Sequence, residues 1–102
     1  MPSYQIAIIT PEGKLFDDKV ESVMAPGQEG AFGVLYQHAP FITVLKKGIV
    51  TLIKEGKEIF FVISSGIFEV DNQSRVLLLA AHGAQAPNLN EAKTLLDNIK
   101  ND

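Results

Sequence analysis

The run Ile59-Phe60-Phe61-Val62-Ile63 constrains this chain more than any other stretch. Its β-branched and aromatic residues favour a strand. Side chains alternate between the faces of a strand, so Ile59, Phe61 and Ile63 point one way and Phe60 and Val62 the other, yet all five are apolar. Both faces therefore need cover. Val76-Leu77-Leu78-Leu79 repeats the demand. One face of each strand can build a core between two packed sheets, and the opposite face needs a further layer. A chain of 102 residues makes one domain with one core, so little material is left for that layer.

The only internal candidate is the C-terminus. After the linker AQAP, the stretch NLNEAKTLLDNIKND alone carries helical periodicity: Leu89, Ala92, Leu96 and Ile99 form one stripe, with Glu91, Lys93 and Asp97 pointing elsewhere. Asn88 is placed to accept from a free backbone N–H of the first turn, and Glu91 to reach back, a loose form of the capping box. Such a helix, about 12 residues long, spans roughly 18 Å and covers only part of one sheet. An apolar patch is expected to remain, of the kind that marks a protein interface.

Elsewhere short apolar segments alternate with turns: YQIAIIT before PEG, GIVTLIK before EGK, GIFEV before DNQS. This spacing predicts antiparallel strands. The expected fold is mainly β: an antiparallel β-sandwich or flattened barrel over residues 1–86, followed by one short amphipathic α-helix over 87–102.

Several function classes are excluded. A formal charge of -3, with no cluster of Lys or Arg to neutralise a row of phosphates, argues against nucleic acid as a partner. With no cysteine there is neither a disulfide framework nor a thiolate site, which suits a reducing compartment. The N-terminus lacks the charged start and apolar stretch of a secretory signal. The longest apolar run, Val76 to Ala81, is far short of the roughly 20 residues of a membrane helix, so membrane association is expected only through a partner.

Chemistry finds little support. The two histidines, His38 and His82, lie near no HExxH pattern, nucleophile elbow or paired ligand spacing, so no catalytic, metal or cofactor site is expected. Gly27 and Gly30 precede the strand-like AFGVL and Gly33 lies within it, whereas phosphate-binding loops open a helix. Gly56-Lys57 is no P-loop, because Thr51 and Glu58 stand where Gly and Ser or Thr are needed. The glycines instead suit turns and close backbone approach, and Pro40 biases Ala39 toward extended backbone. The result is a rigid loop fitted for recognition.

The segment EGAFGVLYQHAPFITVLKKGIV, followed by EGK, FFVISSGIFEV and RVLLLAA, resembles the epsilon subunit family of F-type ATP synthase, called delta in mitochondria. The family pattern EGxxGxxxxHAPxxTxLxxG is met in order by Glu29, Gly30, Gly33, His38, Ala39, Pro40, Thr43, Leu45 and Gly48. The later GxxEV is met by Gly66, Glu69 and Val70. Tyr36-Gln37 replaces a common Pro-Gly, and Ser65 replaces a glycine.

What the resemblance implies is a non-catalytic rotor subunit of the central stalk, coupling the gamma subunit to the membrane c-ring for proton-driven ATP synthesis. Such a subunit is peripheral, at the cytoplasmic face of the membrane as part of the F1 sector. By position, Glu29, Gly30, Ala31 and Phe32 would face the c-ring, and His38, Ala39, Phe41, Ile42 and Thr43 would lie at gamma. Phe41→Asp with Ile42→Asp is then expected to weaken gamma binding without unfolding the domain.

Longer members carry a two-helix hairpin, relative to which this sequence is shortened. ATP-binding members show Ile or Leu, Asp, two free positions, Arg and Ala, where this chain reads Leu89-Asn90-Glu91-Ala92-Lys93-Thr94, so ATP binding is not expected. The alternatives are a nucleotide-sensing regulatory module of the same complex, a free-standing β-sandwich binding domain, and a small-ligand protein or enzyme built on the two histidines.

Overall fold

The computed structural model describes residues 2–99, so the last part of the expected helix, residues 100–102, lies outside the described residues. Ten strands precede one helix: β1 (Tyr4–Thr10), β2 (Gly13–Val20), β3 (Ser22–Gly27), β4 (Gly30–Leu35), β5 (Phe41–Leu45), β6 (Gly48–Lys54), β7 (Lys57–Ile63), β8 (Gly66–Val70), β9 (Val76–Ala80), β10 (Gly83–Ala86) and α1 (Leu89–Asn98).

The hydrogen-bonded order is β10-β7-β6-β3-β5-β8-β9-β1-β2, with β4 paired to β3. The sheet turns a corner at β3. Its first half pairs with β6 and its last residue, Gly27, with Leu45 of β5. The corner is pinned by Gln28 N–H donating to the Val44 carbonyl at 3.0 Å and Lys46 N–H to the Pro26 carbonyl at 2.9 Å. One layer is then β10-β7-β6-β3-β4 and the other β5-β8-β9-β1-β2, the flattened barrel that the strand spacing predicts. One pairing departs from the antiparallel expectation: β1 and β9 run parallel, with Ile8 beside Leu78. Nearly the whole barrel separates these two strands in sequence, which provides the long crossover that parallel pairing requires.

Alternation fills the space between the layers. Ile6 and Ile8 of β1, Val50 and Leu52 of β6, Phe61 and Ile63 of β7, Phe68 of β8 and Leu78 of β9 are fully buried in one cluster. Phe16 meets Phe61 edge to face, with ring centroids 5.9 Å apart. The Tyr4 hydroxyl donates to the Val34 carbonyl inside this core, and burial pushes its ionisation above the ordinary phenol range.

The other face of β7 is where α1 rests. Phe60, Val62 and Ala86 pack with Ala92 of the helix, flanked by Leu95, Leu96 and Ile99. The two-faced run is thus resolved on this side by the chain's own tail. The packed stripe differs from the expected one, since Leu95 joins it and Leu89 is 43% exposed. Side chains tilt toward a helix's N-terminus, so a first-turn residue such as Leu89 leans past the start of the helix.

Asn88 caps α1, its Oδ1 accepting from Glu91 N–H at 2.8 Å. Glu91 makes no return bond among the described residues. No basic residue lies in the last turn, but Lys47, from the β5–β6 turn, donates its Nζ to the Ile99 carbonyl at 3.3 Å. A cation on another element thereby complements the helix's C-terminal end.

A candidate protein interface on the uncovered sheet face

The outer face of the second layer has no such cover. Strand alternation sends Ile42 and Val44 of β5, Ile67 and Glu69 of β8, Leu77 and Leu79 of β9, and Ala7 and Ile9 of β1 to this face, opposite the buried Phe68 and Leu78. Register then aligns them. Val44, Ile67, Leu79 and Ile9 form one row across four strands, and Ile42, Glu69, Leu77 and Ala7 form the next.

Four of the apolar members are open to solvent to a degree that core residues never are, Ile42 68%, Val44 49%, Ile67 48% and Leu79 45%, while Leu77, Ala7 and Ile9 are half-buried. The first row continues into a groove of about 400 Å³ lined by Pro11, Gly66, Ala80 and Ala81 among others. Met24 and Leu35 are also exposed, but they stand on β3 and β4, in the layer that carries α1.

Polar groups border the patch, and two carboxylates among them, Asp17 and Asp71, are held by partners within the chain. On β2, Asp17 accepts from Lys14 Nζ at 2.7 Å and from Gln5 Nε2 at 2.8 Å. The Lys14 hydrogen bond, with that of Gln5, holds the Asp17 carboxyl below the usual carboxylate range. In the β8–β9 turn, Asp71 accepts from the backbone N–H of Gln73 at 2.8 Å and of Arg75 at 2.9 Å, and from Arg75 Nε at 3.0 Å. The Arg75 N–H leads in keeping that carboxyl acidic. Glu69, inside the patch, has no hydrogen bond or ion pair to any described residue. An apolar centre with a polar rim is the anatomy of a protein interface.

The residues suggested by the resemblance fall in two groups that meet where Phe32 packs on Phe41. In the first group, the β3–β4 hairpin exposes Glu29, Gly30 and Ala31. Phe32 turns inward, its ring 5.0 Å from that of Phe68 and 5.6 Å from that of Phe41. Gly27 makes room for this arrangement: a Cβ there would stand 2.6 Å from the Gly30 carbonyl oxygen and 2.9 Å from the Phe32 ring.

In the second group, His38 lies over Phe41 with centroids 4.9 Å apart, and its Nδ1 is 2.7 Å from the Ala39 carbonyl oxygen. That oxygen can only accept, so Nδ1 carries the hydrogen. Ala39 is exposed beside it, and of the three suggested β5 residues Ile42 alone points outward, with Phe41 and Thr43 facing inward. Since Phe41 packs against the core, Phe41→Asp would unsettle the fold as well as the surface, and a surface test belongs on outward residues. Val44, Ile67, Leu77, Leu79, Ala7 and Ile9 were missed by motif reasoning. Counting every second residue of FITVL, GIFEV, VLLLA and YQIAIIT finds them all.

His82 is fixed through its backbone. His82 exchanges backbone and side-chain bonds with Ser64, its N–H donating to Ser64 Oγ at 3.0 Å and its carbonyl accepting from Ser64 N–H at 3.0 Å. Among the described residues, no three His, Cys, Asp or Glu side chains gather to hold a metal.

The chain matches the family described as ATP synthase, Delta/Epsilon chain, beta-sandwich domain over residues 3–84. It is 36% identical to an ATP synthase epsilon chain of Sulfurimonas denitrificans, over 98% of this chain and 84% of the relative. A Campylobacter curvus ATP synthase epsilon chain is 35% identical over 100% of this chain and 86% of its own length. One from Pelotomaculum thermopropionicum is 44% identical over 79% of this chain, which covers 61% of that relative.

Among solved structures, a chain of the Euglena gracilis mitochondrial ATP synthase, imaged as OSCP/F1/c-ring, superposes with a TM-score of 0.79 at 21% identity. That superposition covers 93% of this chain and 61% of the other. A chain of the Tetrahymena thermophila mitochondrial ATP synthase central stalk and c-ring gives 0.70 at 12% identity, over 81% and 66%. At these identities the two structures establish likeness of fold.

Proposed function

This chain belongs to the delta/epsilon chain family of ATP synthase, and from that premise we propose that it is a non-catalytic rotor subunit tying gamma to the membrane c-ring. The observation that carries the reading is the uncovered apolar face of β5, β8, β9 and β1. A solvent-facing row of Val44, Ile67, Leu79 and Ile9 in a small acidic protein needs a permanent neighbour. Gamma is that neighbour, with His38 and Ala39 bordering the contact and Ile42 inside it. Phe41 and Thr43 support Ile42 from the inner face.

The c-ring is met by the β3–β4 hairpin, where Glu29, Gly30 and Ala31 are exposed and Phe32 braces the turn from within. Two contacts at different places on one closely packed barrel allow torque to pass from ring to shaft without loss in a soft joint. Proton flow then drives rotation that reaches the catalytic head. Membrane attachment comes through the ring, since among the described residues no helix is long and apolar enough to cross a bilayer.

The reading is tested with complexes assembled without this chain, in membrane vesicles. ATP hydrolysis is expected to persist while ATP-driven proton pumping falls to background, and adding the purified chain restores pumping. Full pumping in its absence would overturn the coupling role.

A further inference from the structure

We propose that Glu69 sets partner specificity, and that the surface docking on this face presents a lysine or arginine to it from within an otherwise apolar contact. The inference rests on the gamma-docking reading and refines its chemistry. Glu69 lies between Ile42 of β5 and Leu77 of β9 in the second row of the patch. No cation among the described residues pairs with it. Arg75, which lines a groove together with Glu69, turns its Nε to Asp71 at 3.0 Å, and Lys14 pairs with Asp17 at 2.7 Å. Lys14 and Lys19 stand on β2, three strands away, about 14 Å at the usual strand spacing.

In the free protein water solvates the Glu69 carboxylate. A partner that buries Ile42 and Leu77 on either side removes that water, and a carboxylate desolvated without a counter-charge is strongly unfavourable. An apolar partner surface is therefore rejected at this point, and one carrying a cation is accepted. The patch holds by apolar area and selects by one charge.

The test measures the affinity of the full chain for the gamma subunit of its own complex at two salt concentrations. Three variants are compared: Glu69→Gln, Glu69→Lys, and Ile67→Asp with Leu79→Asp. Glu69→Gln is expected to weaken binding about 10-fold and to flatten its salt dependence, and Glu69→Lys about 100-fold. Changing one gamma Lys or Arg to Glu then restores binding to the Glu69→Lys chain.

Unchanged affinity of Glu69→Gln, alongside loss in the double aspartate variant, removes the cation and leaves the docking face standing. Weakened binding with an unaltered salt dependence also overturns it, since that points to neutral donors. Wild-type affinity in all three variants withdraws the docking face and the cation together.

Discussion

The chain carrying Ile67→Asp and Leu79→Asp is expected to remain folded and to lose gamma by a factor of about 100 or more. Both residues face solvent in the free protein, at 48% and 45% exposure, and pair directly across β8 and β9. Neither touches the core formed by Phe68 and Leu78 on the reverse of the same strands. The cost to folding is therefore confined to strand propensity and local repulsion, about 1 kcal/mol per site. Binding responds differently, because two carboxylates would be desolvated at the centre of the contact. Calorimetric titration with gamma, beside a thermal melt of each chain, separates the two effects. A cooperative melt with wild-type affinity would remove this row from the interface.

Gly66→Ala is expected to do the opposite, damaging the fold and only through it the binding. A Cβ at Gly66 would stand 2.3 Å from the Leu79 carbonyl oxygen and 3.2 Å from the Ala80 Cα, both backbone atoms of β9. Side chains can rotate away from an intruding methyl, but a strand paired on both sides cannot. β9 is held between β8 and β1. Relief requires β8 and β9 to separate where the buried Phe68 and Leu78 face each other. We expect a loss of about 3 kcal/mol or more, which in a domain of this size lowers the melting temperature by at least about 12 °C. A melt within 2 °C of wild type, on the order of experimental scatter, would show that the strands part more easily than close packing allows.

Much of this architecture was legible in the sequence because alternation is local. Ile59 to Ile63 announced a strand covered on both sides, and Phe60 and Val62 do lie beneath the helix while Phe61 and Ile63 build the core. The estimate that one short helix could not cover everything is met by the open row on β5, β8, β9 and β1. Asn88 signalled the start of α1 through its capping oxygen.

Other features depend on what meets what across the barrel. Whether α1 would lie over Phe60 or over Leu79 is not written in either segment, since both offer apolar outer faces. The parallel pairing of β1 with β9 joins segments from opposite ends of the strand region, where no turn fixes the register. Phe32 and Phe41 lie in the loop region that most resembles the family's contact surface, yet both rings turn inward to Phe68. A motif gives a position along the chain, and only the parity of the strand gives the direction. Glu69 illustrates the same limit: its place in the motif was visible, and its isolation among paired carboxylates emerged only from the register of four strands.

The central claim is that gamma occupies the face that α1 leaves bare. Methyl-labelled chain titrated with unlabelled gamma tests it most directly by nuclear magnetic resonance. The Ile42, Val44, Ile67, Leu79 and Ile9 methyl signals are predicted to move together, while those of Leu95, Leu96, Met24 and Leu35 hold their positions. Movement confined to the helix or to Met24 and Leu35, with Ile67 and Leu79 unmoved, would contradict it.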